Sequence, residues 1–126
     1  MKRVSGCAII ENNKLLLLKK IKHNFYEFPG GKIDEGETEE DTAIRETIEE
    51  IGVEPLILEN FWKGEFQVKD KKLVGTIFLA KLPDKSTPKI MEPDVFNDIK
   101  WIDLNEIQNY PLAPNVKLFL EKYIRK

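Results

Sequence analysis

Runs of apolar residues near the start of the chain predict a pair of strands. Residues 4–10 are rich in small and apolar residues, residues 15–18 are all leucine, and the polar segment 11–14 between them is typical of a turn. Because 15–18 contains no polar position, the second strand is expected to be buried on both faces of a sheet. Residues 19–24 are predicted to form a surface loop, and the Phe-Pro-Gly-Gly stretch at 28–31 to interrupt regular structure.

A second pair of strands is predicted in the middle of the chain. Residues 56–68 and 73–82 are rich in β-branched, aromatic and apolar residues, and they flank the polar segment 69–72. The simplest interpretation of this basic segment, Lys-Asp-Lys-Lys, is a solvated hairpin tip. The alternative is that its charges steer phosphate groups.

The clearest predicted helix covers residues 38–51. Thr38 is a good N-cap, acidic residues fill the first turn, and Asp41 stands at the capping-box position. Gly52 follows where a helix end favours a residue that tolerates positive φ. The helix is therefore expected to begin at Thr38 and to end before Gly52.

The last third of the chain adds shorter elements. A strand is predicted at 99–102, a helical turn at 104–109 and a closing amphipathic helix at 115–125. Strands and helices mixed in this order favour an α/β (α+β) fold, with helices packed on a mixed sheet. No repeat, low-complexity segment or linker divides the chain, so a single domain over residues 1–126 is expected.

The predicted helix at 38–51 has a strongly acidic face. With about 100° of rotation per residue, Glu46, Glu49 and Glu50 share an arc of roughly 100°. Opposite them, an apolar face is expected to pack against the core, formed by Ile44, Ile48 and Ile51.

Three carboxylates on one helix face repel one another, so a partner for them has to be considered. A hard divalent cation such as Mg²⁺ prefers oxygen ligands and could bind to these carboxylates. Arg45 lies one turn before Glu49 and is expected to hold it by a charge-assisted hydrogen bond. The alternative is an ordinary solvated acidic surface.

Composition narrows the class of protein. The 126 residues include 20 basic and 22 acidic side chains, so the chain has a net charge of −2. This charge argues against a general nucleic-acid binder. Cys7 is the single cysteine, so no internal disulfide is possible and a buried apolar role is expected. The apolar runs are too short to span a membrane, and the N-terminus does not resemble a signal peptide. A cytoplasmic protein is expected, as a monomer or a homodimer.

The acidic helix and the glycine-rich segment before it resemble the Nudix box. The sequence has Gly31, five residues, Glu37, seven residues, then Arg45-Glu46, and it continues through Ile48-Glu49-Glu50 to Gly52. Thr47 is the one departure, since the family usually has an aliphatic residue there, and little harm is expected from it. The resemblance implies an α/β/α sandwich and hydrolysis of a nucleoside diphosphate linked to another group, with Mg²⁺ or Mn²⁺.

The resemblance also implies roles for individual residues. Glu46, Glu49 and Glu50 match the metal-binding glutamates, with the Gly30 carbonyl as an additional ligand. Glu46 is the first choice for the general base, although the family does not fix this role. Lys32 matches a lysine near the phosphates, and Arg45 matches an arginine that orients the glutamates. Glu37 matches a glutamate that is structural in the family.

Outside the box, four further positions are candidates. Glu92 is the best choice for an extra metal ligand from a later loop, with Asp94 and Asp98 as alternatives. Lys20 is expected to assist phosphate binding. Two positions resemble base-binding residues of the MutT-like branch, which hydrolyses 8-oxo-dGTP: Asn115, for which the alternative is a helix N-cap, and Phe28, for which the alternative is a core aromatic.

The choice of substrate rests on the residues downstream of the box. Residues 68–71 carry neither the proline that suggests ADP-ribose nor the tyrosine that suggests dinucleoside polyphosphates. This favours a nucleoside triphosphate, with an oxidised purine as a candidate, cleaved to a monophosphate and pyrophosphate. A small nucleotide is the expected partner, with no nucleic-acid polymer and no membrane. The alternatives are another nucleoside diphosphate-linked substrate, or a non-catalytic nucleotide-binding domain.

Overall fold

The computed structural model describes residues 1–124 as a mixed sheet flanked by two helices. A short 3-10 turn at Ile107–Asn109 precedes the second helix. Within the described residues, no helix is long and apolar enough to cross a membrane. The elements are, in chain order, β1 (Lys2–Glu11), β2 (Lys14–Lys20), β3 (Tyr26–Glu27), β4 (Gly30–Lys32), α1 (Glu39–Ile51), β5 (Leu56–Val68), β6 (Lys71–Lys81), β7 (Phe96–Asp103) and α2 (Pro114–Ile124).

Strand β1 lies at the centre of the sheet. It pairs in parallel with β6 along most of its length, and the antiparallel hairpin of β5 and β6 extends the sheet from there. On its other side β1 is shared: its first half pairs with β4 and its last residues pair with β2. Strand β2 continues to β3 and β7, so the sheet is mixed, as the sequence predicts.

The strands separate two apolar cores, one under each helix. In β2, Leu15 and Leu17 point into the core under α2, whereas Leu16 and Leu18 point into the core under α1. The continuous leucine run is thus buried on both faces, which confirms the prediction. The α2 core is rich in aromatic rings, and Phe119 is fully buried at its centre.

The limits of α1 follow from its capping residues. The Thr38 hydroxyl accepts a hydrogen bond from the Asp41 N–H, and the Asp41 side chain accepts one from the Thr38 N–H. At the other end, Gly52 adopts φ 74° and its N–H bonds to the Ile48 carbonyl. Both predicted ends are confirmed.

The buried face of α1 differs from the predicted one. Ile48 is 40% exposed, whereas Thr47 is fully buried, with its hydroxyl lacking a hydrogen-bond partner among the described residues. The helix turns the stripe of Ala43, Thr47, Glu50 and Ile51 toward the sheet. The small side chains on this stripe permit a close approach, and that approach brings the carboxylate of Glu50 inward.

Several boundaries also differ from the predictions. Residues 30–32 form β4 instead of an interruption, because their backbone pairs with β1. Strand β7 is longer than predicted, since it follows β2 over its whole length. Helix α2 begins at Pro114, where a proline is well tolerated in the first turn. Arg125, at its predicted end, lies outside the described residues.

Candidate functional site

The site is built around β4, which lies unusually close to β1. A Cβ atom added at Gly30 would lie 2.7 Å from the Gly6 Cα and 2.6 Å from the Ser5 carbonyl oxygen. Backbone therefore contacts backbone, and only glycine fits at this position. This contact fixes the short strand Gly30–Lys32 against the centre of the sheet.

Two glutamates of α1 reach β4 at its glycines. The Gly30 N–H donates a hydrogen bond of 3.1 Å to the Glu50 carboxylate. The Glu46 carboxylate occupies the space beside Gly31, where a Cβ would lie within 2.7 Å of all three of its carboxyl atoms. The absence of side chains at Gly30 and Gly31 thus allows two carboxylates to come close to the backbone.

Glu50 is a buried carboxylate. It is only 6% exposed, and this burial raises the pKa of its carboxyl group well above the usual range. The Gly30 N–H opposes the rise, and the nearby charge of Glu46 adds to it. A buried carboxylate among like charges is costly, so the arrangement favours a cation beside it.

Arg45 connects the acidic residues around α1. Its guanidinium contacts Glu37 at 2.7 Å, Glu46 at 3.0 Å, Glu49 at 3.1 Å and Asp34 at 3.2 Å. These contacts raise the pKa of Arg45, and they lower that of Glu37 to about 2. The predicted bond to Glu49 is present, and Arg45 also fixes Glu46 and ties the loop before α1 to the helix.

Glu92 arrives at the site because its loop is anchored to the end of α1. The Met91 N–H donates to the Glu50 carbonyl, and the Lys89 N–H donates to the Ile51 carbonyl, both at 3.1 Å. Partial burial raises the pKa of Glu92, and the charges of Glu46 and Glu49 raise it further.

The other two carboxylates considered for this role lie differently. Asp98 lies on β7, and its carboxylate accepts a hydrogen bond from the Tyr26 hydroxyl. Asp94 is exposed, and its charge is felt at Glu92. Glu92 stays the first choice among the three, because its loop is bonded to the end of α1.

The donor set of this cluster fits a hard divalent cation. Its groups are the carboxylates of Glu46, Glu49, Glu50 and Glu92, and these are oxygen ligands of the kind that Mg²⁺ and Mn²⁺ prefer. The Gly30 carbonyl stays a predicted additional ligand. Within residues 1–124, no three His, Cys, Asp or Glu side chains form a preassembled ligand set. Two of the four carboxylates, those of Glu46 and Glu49, are ion-paired with Arg45.

A cavity of about 250 Å³ lies on the other face of the sheet. Its floor includes Val4 of β1 and Ile77 of β6, both apolar. Lys32 and Gly30 of β4 are paired with Val4 and Gly6, so they face the same side. The cavity and the glutamates therefore meet at the edge formed by β4.

Lysines dominate the charges around this cavity. Six of them line it against two acidic residues, Glu27 and Asp70. The lysines are Lys2, Lys20, Lys22, Lys32, Lys69 and Lys71. A cavity with an apolar floor and a basic rim is suited to a ligand that joins a ring system to anionic groups.

The predicted substrate-binding residues all line this cavity. Lys20 and Lys32 lie on the side of β4, and the charge of Lys20 is felt at both Glu50 and Glu92. Phe28 lines the cavity and also packs edge to face on Phe119, at 5.2 Å between ring centroids, so it belongs to the core as well. Asn115 also borders the cavity. It is the second residue of α2, which begins at Pro114, so it is not the N-cap of that helix.

His23 and Phe25 also line the cavity, and the sequence revealed neither of them. The segment 19–24 is predicted to be a surface loop, but His23 within it is half-buried, and its Nδ1 lies 2.7 Å from the Glu27 carboxylate. Its ring also contacts Phe25, at 5.0 Å between ring centroids. A four-residue spacing from His23 to Glu27 does not predict a contact when the segment between them is a loop.

Comparisons with known proteins agree with this geometry. A family model described as NUDIX domain matches residues 1–123. The Nudix hydrolase YvcI of Bacillus subtilis (strain 168) is 32% identical over 118 residues, covering 90% of this chain and 73% of that protein. The 8-oxo-dGTP diphosphatase of Escherichia coli (strain K12) is 37% identical over 75 residues, covering 56% of this chain and 58% of that protein.

A solved structure shows the same architecture. The crystal structure of a MutT NUDIX hydrolase from Burkholderia pseudomallei superposes with a TM-score of 0.87, covering 96% of each chain at 24% identity. At this identity the likeness establishes the fold, an α/β/α sandwich, as the sequence predicts.

Proposed function

This chain belongs to the Nudix family of hydrolases, and on that premise we propose that it hydrolyses a nucleoside triphosphate to a monophosphate and pyrophosphate. The reaction depends on Mg²⁺, for which Mn²⁺ can substitute. A purine oxidised at its base is the favoured substrate within this class. The similarity to the Escherichia coli 8-oxo-dGTP diphosphatase supports this choice.

The proposal is supported chiefly by the two environments that meet at β4, one acidic and the other lined by lysines. On one side of Gly30 and Gly31 lie the carboxylates of α1, and on the other lies the lysine-rimmed cavity. A nucleotide seated in the cavity would place its phosphates at this edge. The substrate is thus held on one face of the sheet and hydrolysed from the other.

The cation-holding role falls to Glu46, Glu49, Glu50, Glu92 and the Gly30 carbonyl. When bound, a divalent cation lowers the pKa of a bound water and neutralises charge that develops on phosphate oxygens. The protein's part is to hold the carboxylates in place, which Arg45 does for Glu46 and Glu49. The Gly30 N–H does the same for Glu50.

Other residues handle the proton and the phosphate charge. Glu46 lies at the junction with the cavity, beside Gly31, and is the candidate acceptor for the proton of the attacking water. Lys20 and Lys32 border the cavity on this side and compensate the negative charge of the phosphates. The net charge of the chain is −2, so this local positive potential is what attracts an anionic nucleotide.

Base recognition is assigned to the end of the cavity near α2. Asn115 presents an amide that both donates and accepts hydrogen bonds, as a base edge requires. Phe28 offers an aromatic surface in the same cavity. An oxidised guanine differs from guanine in its donors and acceptors, so a single amide can distinguish the two.

A substrate panel tests the proposal. The protein with Mg²⁺ is incubated separately with 8-oxo-dGTP, dGTP, ADP-ribose and diadenosine tetraphosphate, and products are separated by chromatography. We expect monophosphate and pyrophosphate from the triphosphates, with kcat/KM at least about tenfold higher for the oxidised base. Cleavage of ADP-ribose or the dinucleotide alone would overturn the choice of substrate class. Binding of nucleotide without turnover of any compound would overturn hydrolysis itself.

A further inference from the structure

Strand β5 forms one edge of the sheet. Within residues 1–124 it pairs with β6 alone, so no strand lies beside the backbone groups on its other side. The register between β5 and β6 shifts twice between residues 57 and 62, and from Trp62 to Val68 it is regular. A regular edge of this kind is a template to which another strand can pair. We refer to residues 62–68 as the β5 edge.

The hydrogen-bonding pattern of the β5–β6 hairpin decides which residues of the β5 edge point their backbone outward. A two-residue turn joins Val68 to Lys71, and the residues that flank such a turn form a hydrogen-bonded pair. Because the pattern alternates, every second residue before Val68 also directs its backbone groups to β6. Lys63 and Glu65, at the intermediate positions, therefore direct their N–H and carbonyl groups to the open side.

The side chains of the β5 edge differ between the two faces of the sheet. Trp62 and Phe66 are half-buried on the cavity face, with 6.4 Å between their ring centroids. The Trp62 ring covers Gly64, where an added Cβ would lie 2.9 Å from its Cζ2 atom. On the opposite face Lys63 and Glu65 are exposed. The β5 edge thus offers aromatic rings on one face and opposite charges on the other.

The sequence of the β5 edge is complementary to itself in one antiparallel register. When two copies of the edge cross at Gly64, Lys63 of each copy lies opposite Glu65 of the other. In the same register Trp62 of each copy lies opposite Phe66 of the other, so aromatic rings meet as well. The two neighbouring registers cross at Lys63 or at Glu65. Each of them places like charges directly opposite each other, which is unfavourable.

The charged groups of the β5 edge are available to a second copy of the chain. The Lys63 side chain is 55% exposed while its ammonium group contacts the Glu39 carboxylate at 3.1 Å, so it can contact a second carboxylate as well. In the described part of the chain, Glu65 takes part in no ion pair. Its carboxylate can therefore pair with a lysine from outside.

Helix α2 limits how far such a pairing can extend. The Lys122 ammonium donates a hydrogen bond to the Phe61 carbonyl, so the strand just before the β5 edge is covered. The pairing is thus confined to residues 62–66. An interface this short belongs to the class that buries less than about 1,200 Å², and it should exchange readily between monomer and dimer.

We propose that the chain forms a two-fold symmetric dimer in which the β5 edges of two copies pair antiparallel about Gly64. Lys63 and Glu65 of the two copies exchange backbone hydrogen bonds, and their side chains form ion pairs on the α1 face. On the other face the Trp62 and Phe66 rings of both copies pack together. Because Phe66 lines the cavity, Trp62 of the second copy extends the apolar wall of the site. The dimer does not depend on which substrate is hydrolysed.

Sedimentation velocity over protein concentrations of about 5–500 µM tests for the dimer. We expect the wild type to shift from monomer to dimer in this range. Glu65→Lys places lysine opposite lysine, and Lys63→Glu places glutamate opposite glutamate, each at two symmetric positions of the pair. Each variant alone should therefore associate with itself at least about tenfold more weakly than the wild type.

A mixture of the two variants restores the charge complementarity. In the mixed pair the lysines of one copy face the glutamates of the other, so the dissociation constant should return to within about threefold of the wild-type value. Recovery in the mixture also shows that both variants are folded. If neither variant dimerises alone and the mixture does not dimerise either, the register about Gly64 is wrong.

Glu106→Lys is the matched control, because it changes the net charge as Glu65→Lys does but lies exposed in the turn after β7. It should dimerise like the wild type. Hydrogen exchange gives a second readout: the Lys63 and Glu65 amides should exchange more slowly at about 500 µM than at about 5 µM. A wild type that stays monomeric up to about 500 µM, or a dimer that persists in both edge variants, would overturn the proposal.

Discussion

The two faces of the sheet at β4 are organised in opposite ways. On the α1 face, a short stretch of sequence supplies nearly every group, and Arg45 links Glu37, Glu46 and Glu49 by direct contacts. On the cavity face, the lining comes from four separate parts of the chain, between Lys2 and Asn115. The first face is rigid and charged, whereas the second is open and partly apolar.

This difference separates chemistry from recognition. Groups fixed by a hydrogen-bonded network are suited to hold reacting atoms in one geometry. A lining assembled from several loops and strand ends can change with little effect on the fold. Substitutions on the α1 face should thus lower kcat, and substitutions in the cavity should alter KM and the choice of substrate.

The largest effect is expected from the carboxylates of α1. Glu49→Gln and Glu50→Gln each remove a charge from the cation-holding set, and kcat should fall by at least about 10²-fold, measured with the preferred triphosphate. Glu40→Gln serves as the control, because Glu40 is exposed in the first turn of the same helix. If either site variant keeps the wild-type kcat, the carboxylate it replaces takes no part in the reaction.

Gly30→Ala tests whether the two faces depend on one strand. The added Cβ would lie 2.6 Å from the Ser5 carbonyl oxygen, so β4 must shift away from β1. We expect the free energy of unfolding to fall by about 1–3 kcal/mol, with both kcat and KM impaired.

The control for Gly30 is Gly36→Asn. Gly36 has φ 84° with open space around it, and asparagine tolerates that conformation. It should leave thermal unfolding nearly unchanged. A Gly30→Ala variant with wild-type stability and kinetics would show that β4 is not the shared support.

Asn115→Ala tests recognition alone. Removal of the amide should reduce the ratio of kcat/KM between 8-oxo-dGTP and dGTP by about tenfold, while kcat for dGTP stays close to wild type. Asn109→Ala is the control, because Asn109 lies in the 3-10 turn and does not line the cavity. If the ratio of the two kcat/KM values is unchanged, another residue distinguishes the two bases.

The smallest effect concerns Cys7, which reports on the packing of α1. Its thiol is fully buried, bonds to the Ala43 carbonyl, and has its pKa raised by burial to about 11. Reaction with a thiol reagent at pH 8 should be at least about 100-fold slower than in the urea-unfolded protein. Comparable rates would mean that α1 opens readily from the sheet.

Local features of the sequence predicted the limits of α1 correctly. The capping box at Thr38 and the end at Gly52 depend on neighbouring residues only, so the pattern sufficed. The helix orientation was wrong for Ile48, which is exposed. Periodicity gives the relative positions of side chains. Which of them face the sheet depends on contacts with distant strands, such as the packing of Ala43 and Ile51 and the hydrogen bond from Gly30 to Glu50.

Contacts between distant segments could not be predicted in the same way. The pairing that makes residues 30–32 a strand depends on glycine-to-glycine packing with β1. Glu92 reaches the glutamates because backbone groups of its loop bond to the end of α1. The half-buried His23 likewise depends on Glu27 and on the fold of its loop.

The central place of β1 has a consequence for how the chain folds as it is made. Lys2 pairs with Leu73 and Ile9 with Ala80, so β1 gains its longest neighbour only after residue 81 has emerged from the ribosome. Contacts of such wide separation form slowly, because a long loop must close first. Until then the apolar residues of β1 have only their nearer partners, and a nascent chain halted before β6 would be prone to aggregate.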